Sequence, residues 1–580
     1  MIKRLSKCIR EYKLPSILTP VLVSLEVVME VLIPYLMGKL IDDGIKKGDT
    51  DFVVRTGILL VILCLFSLFF GAAAGITAAK ASAGFAKNLR HDMFHNVQGF
   101  SFSNIDNFSA SGLVTRLTTD VTNLQNSYQM IIRIAVRSPA MLLFSLFMAL
   151  GINGKISTVF LCVIPVLAIG LALVVKNAHP IFRRVFKTYD KLNNVVAENL
   201  HGIRVVKAFV RENEEDKKFR TVSEKIFADT KRAENILAFN APMMQAATYA
   251  CILLIAWFGA NLIVSTGETE MTTGDLVSLL SYVMQILMNL MMLSMIFVML
   301  TMSKAAGERV CEVLEEKSDL VNPENPVYTV SDGSIDFESV SFSYSGEKGN
   351  YCLRDAELHI KSGETVGIIG STGSSKTTLV QLIARLYDAT EGTVKVGGRD
   401  VREYDLDTLR NEVAMVLQKN VLFSGTIREN LCWGKEDATD EEIIEACNLA
   451  QAHSFIQEKE DGYDTYIEQG GSNVSGGQKQ RICIARSLLK KPKILILDDS
   501  TSAVDTATDA LIRKAFSEYI PETTKIIIAQ RISSIEGADK IVVLDDGGIS
   551  AVGNHEELLS ESEIYREVYF SQQKGGKDGE

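Results

Sequence analysis

Hydrophobic residues are concentrated in the first half of the chain, in blocks long enough to cross a lipid bilayer. A helix needs about 20 apolar residues to span roughly 30 Å of hydrocarbon. Six blocks meet this length and predict transmembrane helices over residues 17–41, 56–79, 133–152, 156–175, 241–265 and 276–302. Long periodic, charged segments follow the second and fourth blocks, which indicates that these helices continue into the aqueous phase.

The loops between the spans predict the orientation. Lys and Arg gather before the first span and between the fourth and fifth, over residues 176–232. Positive residues accumulate on the cytoplasmic side of an inserted protein. With six spans, both termini are therefore expected in the cytoplasm of a multi-pass protein of the cell (plasma) membrane. No cleavable secretory signal is expected, because the first apolar block is too long and lacks a small-residue cleavage site.

From Ser334 onward, short β-rich runs alternate with helical stretches. This alternation is typical of an α/β domain with a largely parallel sheet. We therefore divide the chain into a membrane domain, a linker, an α/β domain and a polar tail, over residues 1–316, 317–333, 334–572 and 573–580. Breaks in the two long cytoplasmic segments predict short cross-helices at about residues 109–118 and 209–219.

Composition narrows the classes of partner and cofactor. The chain has 580 residues, of which 47% are hydrophobic, and a net charge of −11. The negative charge argues against a nucleic-acid partner. The nine cysteines form no CxxC pair, so neither a disulfide framework nor a metal site built on cysteine is predicted.

A phosphate-binding loop is predicted after the apolar strand at residues 365–370. Backbone N–H groups of such a loop and of the following helix N-terminus form a nest for phosphates. Lys376 supplies a positive charge and the Thr377 hydroxyl a Mg²⁺ ligand. The pattern departs from G-x-x-x-x-G-K-[ST] at Ser375, where glycine is expected. The predicted loop and helix start comprise Gly370, Ser371, Thr372, Gly373, Ser374, Ser375, Lys376, Thr377 and Thr378.

A second apolar strand begins at Ile494, and its four apolar residues are followed by two adjacent carboxylates. Asp498 is the expected Mg²⁺ partner, and the following carboxylate, Asp499, stands where an acidic side chain orients the attacking water. Such a run is weak evidence alone but strong evidence together with the phosphate loop. ATP and Mg²⁺ are the predicted cofactors.

The segment Asn473–Arg481 reads Asn-Val-Ser-Gly-Gly-Gln-Lys-Gln-Arg. With it, nearly the whole chain resembles a half-transporter of the ABC exporters of the type IV fold. The resemblance implies a bundle of six long transmembrane helices followed by an α/β P-loop ABC ATPase domain. It also implies that Tyr344 stacks on adenine and that Gln418 senses Mg²⁺ and the membrane domain. By the same resemblance, ATP held by a partner chain is contacted by Ser475, Gly476, Gly477 and Gln478.

Three residues depart from the family pattern in the half-site that this chain builds itself. Asp499 replaces the catalytic Glu, Gln530 replaces the switch His, and Ser375 replaces a glycine. A misplacement on the order of 1 Å can cost ~10²-fold in rate, and Gln cannot carry the charge or proton of an imidazole. The chain thus resembles the degenerate-site subunit of bacterial heterodimeric multidrug exporters. We expect a non-identical partner that has Glu and His in its own site; a slow homodimer using Asp499 as a weak base is the alternative.

Polar residues within the spans are candidate substrate contacts. Glu26 and Glu30 are four apart and share one helix face; they either line a cavity that favours cations or form a hydrogen-bonded helix contact. Methionines recur along the last span, either for helix packing or as an adaptable drug-binding face; they are Met284, Met288, Met291, Met295, Met299 and Met302. The candidate set is Glu26, Glu30, Gln285, Met288, Asn289 and Met295.

The sequence therefore predicts ATP-driven export of lipophilic or amphipathic compounds out of a membrane, with lipid as a constant neighbour. A lipid or peptide exporter would share every ATPase motif and remains an alternative. A nucleotide-gated channel or regulatory subunit is the second alternative, although no long regulatory insertion supports it.

Overall fold

The computed structural model describes residues 1–499 and 504–577. The last three residues of the predicted tail lie outside the described residues, as does the side chain of Met302. The chain forms two compact units: Met1–Gln98 with Ser109–Glu316, and Gly99–Phe108 with the chain from Lys317 onward.

The first unit is helical. Within the described residues, six of its helical segments are long and apolar enough to cross a membrane, which confirms the predicted bundle. The longest helix has 49 residues, or roughly 70 Å at 1.5 Å per residue. In chain order, with α4 assigned to the second unit, the helices are α1 Ile2–Leu5, α2 Lys13–Lys39, α3 Thr50–Gln98, α4 Phe102–Phe108, α5 Ala110–Thr115, α6 Val121–Ile152, α7 Gly154–His201, α8 Ile203–Ala208, α9 Glu212–Ala238, α10 Asn240–Thr266 and α11 Thr273–Glu315.

Local capping residues set the ends of the membrane helices. Asn153 precedes α7, and its side chain accepts a hydrogen bond from the Ile156 N–H. Thr272 and Asp275 form a reciprocal capping box at the start of α11. Gly267, with φ of +61°, ends α10 in the left-handed conformation that glycine adopts without steric cost. The short turns between these spans are therefore encoded by the sequence next to them.

Helices α2 and α11 approach each other closely at one end. A Cβ on Gly274 would overlap the Gly38 carbonyl oxygen. Asp42, just beyond α2, accepts hydrogen bonds from the Gly274 N–H at 3.0 Å and the Thr272 hydroxyl at 2.5 Å. The backbone contact and the carboxylate together fix the start of α11 against α2.

Short helices lie at or just before the two positions where the sequence predicts cross-helices. Residues 109–118 include α5, and α4 directly before them is grouped with the second unit. Ser109 has φ of +52° and caps α5 by accepting from the Gly112 N–H, so the predicted break marks a helix start. Directly before residues 209–219, α8 is separated from α9 by Val210 with φ of +51°.

The described part of the second unit is an α/β domain with three sheets, of six, four and two strands. Its strands are β1 Ile335–Phe342, β2 Leu353–Ile360, β3 Thr365–Gly370, β4 Glu391–Val396, β5 Arg399–Asp400, β6 Val413–Val416, β7 Gly425–Thr426, β8 Tyr466–Ile467, β9 Ile494–Asp498, β10 Thr524–Ile528, β11 Lys540–Asp545 and β12 Gly548–Gly553. Its remaining helices are α12 Lys376–Ile383, α13 Leu406–Glu412, α14 Ile427–Cys432, α15 Asp440–Leu449, α16 His453–Gln457, α17 Gly476–Leu488, α18 Thr506–Tyr519, α19 His555–Glu561 and α20 Glu563–Lys577.

The larger sheet has the order β12-β11-β3-β10-β9-β6. Strands β11, β3, β10, β9 and β6 are parallel, and β12 is antiparallel to β11. Separate hydrophobic clusters involve residues of this sheet, and β9 contributes Leu495 and Leu497 to one and Ile494 and Ile496 to the other. Burial on both faces explains why these strands read as continuous apolar runs.

The close approach of Gly38 and Gly274 generates a prediction. Gly274→Ala should lower the midpoint of thermal unfolding, because the added methyl group must displace backbone, and overpacking typically costs about 1–3 kcal/mol. Gly57→Ala, within α3, is the matched control, since no atom lies within 4 Å of its would-be Cβ. Equal midpoints for the two purified variants would contradict the inferred contact.

Candidate nucleotide-binding site

The carboxyl end of β3 runs directly into the predicted phosphate loop. A Cβ on Gly370 would overlap the Leu544 carbonyl oxygen on the neighbouring strand, so only glycine fits where the chain leaves the sheet. Gly373 turns the loop with φ of +87°. The Lys376 ammonium donates hydrogen bonds to the carbonyl oxygens of Gly370 at 2.9 Å and Ser371 at 2.7 Å. Burial lowers the pKa of this ammonium, and an anionic ligand beside it would favour its charged form.

Ser375 occupies a backbone conformation suited to the glycine of the family pattern. Its φ is +68°, in the left-handed region that costs a side-chain-bearing residue roughly 1–2 kcal/mol. Its hydroxyl donates a 2.6 Å hydrogen bond to the Cys352 carbonyl oxygen at the edge of β2. This hydrogen bond offsets part of the backbone strain and ties the loop to the antiparallel sheet.

Two oxygen ligands for Mg²⁺ are brought together at the ends of β3 and β9. The Thr377 hydroxyl donates to Asp498 Oδ1 at 3.1 Å. Asp498 is 2% exposed, and burial followed by the adjacent Asp499 charge raises the pKa of its carboxyl. A divalent cation would favour the ionised form of this group, and hydroxyl and carboxylate oxygens suit Mg²⁺. The pair therefore fits the predicted metal site.

The two substituted positions, Asp499 and Gln530, contact each other directly. The Gln530 amide donates to Asp499 Oδ2 at 2.7 Å, and the Gln418 amide approaches the same oxygen at 3.5 Å. Asp499 has φ of +49°, a conformation that Asp tolerates better than most residues. The predicted Mg²⁺ sensor Gln418 thus lies against the second carboxylate, and Asp499 accepts hydrogen bonds from amides on two separate segments.

The signature residues form the start of α17. Ser475 and Gln478 make a reciprocal capping box, with the Ser475 hydroxyl accepting from the Gln478 N–H. Ser475 and Gly476 are exposed, and Gly477 is half-buried. A helix N-terminus with accessible N–H groups suits a phosphate. The described contacts of these residues include no hydrogen bond to the phosphate loop of the same chain.

Tyr344, the predicted adenine contact, belongs to an aromatic group that extends to α4. Its ring is 54% exposed, and its hydroxyl is 3.0 Å from Thr378 Oγ1. Tyr387 packs edge-on against Tyr344 with centroids 5.3 Å apart and against Phe102 at 6.1 Å. The Tyr387 hydroxyl donates to Asp106 Oδ2 at 2.7 Å.

Neither Tyr387 nor α4 was identified from the sequence. The available signal was the aromatic residues Phe100, Phe102 and Phe108 within a cytoplasmic segment, where Phe100 and Phe108 stack with ring centroids 5.6 Å apart. Burial, the Asp106 hydrogen bond and the Asp106 charge raise the pKa of the Tyr387 hydroxyl, which therefore stays a donor at neutral pH.

The candidate substrate residues of the membrane unit occupy two environments. Glu30 accepts two hydrogen bonds from the Arg137 guanidinium, at 2.7 and 2.8 Å, so it forms a paired helix contact. Gln285 accepts from the Ser145 hydroxyl, and the Asn289 amide donates to the Gln285 carbonyl oxygen. Among the stripe methionines the exposed side chains are Met284, Met288, Met291 and Met295, at 45%, 65%, 49% and 58%.

This geometry defines a P-loop ATPase domain joined to a six-helix membrane domain. Residues 16–291 match the profile of the ABC transporter transmembrane region, and residues 353–502 match that described as ABC transporter. The chain belongs to the ABC transporter family, and it is a half-transporter with one membrane domain and one ATPase domain. In this family, the ATPase domain couples ATP hydrolysis to transport.

Relatives cover the full length of the chain. It is 39% identical to the ABC transporter ATP-binding protein YfiB of Bacillus subtilis, over 97% of each chain. It is 30% identical to the ATP-dependent lipid A-core flippase of Desulfotalea psychrophila, over 99% of each chain. A structure of a bacterial Atm1-family ABC exporter with ATP bound matches 97% of this chain and 98% of its own, with a TM-score of 0.81 and 23% identity. The fold is therefore the ABC exporter fold.

The strained Ser375 yields a matched pair of variants. Ser375→Ala removes the hydrogen bond to Cys352 but keeps the unfavourable φ, and a net hydrogen bond contributes about 1 kcal/mol. Ser375→Gly removes both the hydrogen bond and the backbone strain, so the lost stabilisation and the relieved strain offset each other. We expect ATP affinity, measured by nucleotide titration, to fall by about fivefold in the alanine variant and little in the glycine variant. Equal losses would show that the strain is unimportant.

The hydroxyl of Tyr387 yields a second prediction. Tyr387→Phe should speed hydrogen exchange in residues 99–108 by about tenfold, because a hydrogen bond to a charged group contributes roughly 1.5–3 kcal/mol. Mass spectrometry of the exchanged protein would measure this, with Tyr519→Phe, an exposed tyrosine at 69%, as control. Unchanged exchange in α4 would mean that packing alone holds the helix.

Proposed function

We propose that this chain is the degenerate-site subunit of a heterodimeric exporter, which uses Mg-ATP to expel lipophilic or amphipathic compounds. The observation that carries the proposal is the contact between Asp499 and Gln530. Both substitutions affect one ATP half-site, whereas Ser475–Gln478 retain the signature sequence and its capping geometry. A partner supplying Glu and His would then form one competent site with this signature.

The chemistry of the Asp499 carboxylate supports slow hydrolysis in its own half-site. Its Oδ2 accepts the 2.7 Å hydrogen bond from Gln530 and faces a second amide, that of Gln418. A general base must reach the water whose proton it takes, and a side chain shortened by one methylene and held by amides is poorly placed for this. In our proposal, ATP stays bound at Lys376 while hydrolysis at the other site resets the transporter.

We also propose that α4 and α8 transmit the ATPase cycle to the membrane domain. Residues of α4 are held by Tyr387 and by Asp319, which accepts from the Ser103 hydroxyl at 2.7 Å. Phe209 and Val210, directly after α8, are 72% and 79% exposed in this chain. Such apolar residues on a cytoplasmic segment favour contact with a second subunit. The ATPase domains would lie in the cytoplasm below the plasma membrane.

The exposed methionine side chains support an amphipathic substrate. Met288 and Met295 are 65% and 58% exposed, and Met adapts its shape to varied apolar ligands. A lipid exporter is the second candidate, favoured by the 30% identity to a lipid A-core flippase over the full length. Both candidates require a substrate with an apolar part.

ATPase measurements test which subunit's half-site hydrolyses ATP. The chain purified alone should hydrolyse ATP slowly, and co-purification with its partner should restore robust activity. Lys376→Ala in this chain serves as the control for binding at its own half-site. Robust activity of the chain alone, lost in the control, would mean that Asp499 suffices as a base and would refute the asymmetric pair.

Restoring the family residues provides the complementary test. Asp499→Glu together with Gln530→His should raise hydrolysis at this half-site by about 10–100-fold, since repositioning a catalytic group by about 1 Å has effects of this size. Single-turnover experiments on the heterodimer would count nucleotides hydrolysed per cycle. If the double variant still hydrolyses one nucleotide, the two substitutions do not explain the degenerate site.

A further inference from the structure

Apart from Lys39 at the end of α2, four charged side chains lie within the predicted spans of the membrane unit, where charge is costly. Glu26 and Glu30 belong to α2, and Arg133 and Arg137 belong to α6. Each pair is spaced by four residues, so each shares one helix face. Charged residues inside a membrane domain face protein, water or a ligand, because exposure to hydrocarbon costs at least about 2.5–3.5 kcal/mol for Arg.

Arg137 contacts both members of the acidic pair. Its Nη2 donates to both Glu30 carboxylate oxygens, and its Nε lies 3.5 Å from Glu26 Oε1. Glu26 is 8% exposed, and its Oε2 is buried without a hydrogen-bond partner among the described residues. The carboxylates are thus engaged by Arg137 or enclosed by protein, and they present no open cation site.

Arg133 is different from Arg137. Within the described part of the chain, its guanidinium has no hydrogen bond or ion pair, and its side chain is half-buried. It lies beside Gly75 of α3, whose would-be Cβ would be 3.9 Å from the guanidinium nitrogen Nη1. One turn earlier, Gly71 faces the Glu26 carboxylate, with a would-be Cβ 3.1 Å from Oε1. The two glycines leave a groove on α3 for these charged groups.

The chemistry of a guanidinium favours one class of ligand. Its planar set of N–H donors matches the two oxygens of a carboxylate or phosphate, and such charge-assisted bonds are stronger than neutral ones. The four side chains together carry no net charge. A ligand would therefore be recognised by directed hydrogen bonds more than by the electrostatic field of the cluster as a whole. The uncommitted donors belong to Arg133.

An apolar surface begins near the same cluster. The Gln285 amide of α11 donates to the Glu30 carbonyl oxygen at 3.4 Å, which ties α11 to α2 at the level of the charges. Met284 and Met288 flank Gln285 in sequence and are exposed. An amphipathic molecule has both a charged group for Arg133 and an apolar part for a surface of this kind.

We propose that Arg133 binds the anionic headgroup, phosphate or carboxylate, of the transported amphiphile. This inference rests on the proposed export of amphipathic compounds and specifies their charge. It replaces the preference for cations that the two glutamates suggest in the sequence. Arg137 acts as a positioning residue, because its guanidinium contacts both carboxylates and so competes with Arg133 for them.

A pair of matched probes tests the proposal. Two dansyl-labelled dodecyl compounds would differ only in their ends, one a phosphate and the other a trimethylammonium group. Fluorescence anisotropy would measure their binding to the full chain, purified with its partner in phosphatidylcholine nanodiscs, with empty nanodiscs subtracted. We expect the wild type to bind the phosphate probe at least about tenfold more tightly, given the strength of a charge-assisted hydrogen bond.

Substitutions at Arg133 then test whether this side chain causes the preference for the phosphate probe. Arg133→Gln should weaken binding of the phosphate probe by about tenfold and leave the affinity for the trimethylammonium probe unchanged. Arg133→Lys should retain part of the preference for phosphate. Because Arg133 makes no hydrogen bond or close ion pair among the described residues, thermal unfolding of the Gln variant should match the wild type. Equal weakening of both probes, or a lowered unfolding midpoint that accounts for the loss, would assign Arg133 a structural role and overturn the proposal.

Two further arms separate the sources of the anionic group. Competition by inorganic phosphate would show that the site binds the anionic group without an apolar part. Competition by phosphatidylglycerol in the nanodisc would show that a lipid headgroup occupies the site. Either result supports Arg133 as an anion site. Equal affinity for the two probes would overturn the headgroup assignment but would not contradict the proposed export of amphipathic compounds. Binding of neither probe would count against the proposed substrate class itself.

Discussion

The parallel hydrogen bonding of β3, β10 and β9 is the constraint on which the nucleotide site depends. Ile528 of β10 is in register with Ile368 of β3 on one side and Asp498 of β9 on the other. Because all three strands run in one direction, their carboxyl ends meet at a single edge of the sheet. The phosphate loop, the two carboxylates and Gln530 follow those ends, so segments separated by more than a hundred residues converge on one phosphate-binding edge.

The same geometry explains why the substitutions at 499 and 530 belong together. The Asp499 N–H donates to the Ile528 carbonyl oxygen at 3.1 Å, which fixes the carboxylate beside the segment that carries Gln530. A neutral amide at position 530 can donate to this carboxylate in any protonation state, whereas an imidazole would add a charge or a proton acceptor. The short carboxylate and the amide form a hydrogen-bonded pair, and our proposal of slow hydrolysis in this half-site rests on that pair.

The membrane domain shows how charge is accommodated where water is scarce. Nη2 of Arg137 contacts both carboxylate oxygens of Glu30, so one cation pairs with one anion across two helices. Small residues of α3 leave room for the cluster, and Arg133 is the side chain to which we assign an anionic ligand. The nucleotide site and the membrane cluster thus follow one rule: a buried or half-buried charge has a partner or a function.

The sequence by itself determined the six spans, the change to an α/β domain, the phosphate loop and the signature motif. Each of these features is encoded by a periodicity or a short motif of neighbouring residues. It also predicted the departures at Ser375, Asp499 and Gln530. Only the tertiary structure decided that Glu30 pairs with Arg137 and that Tyr387 contacts Asp106. These contacts join residues as many as 281 positions apart, and their partners depend on helix rotation and strand register, which local patterns do not encode.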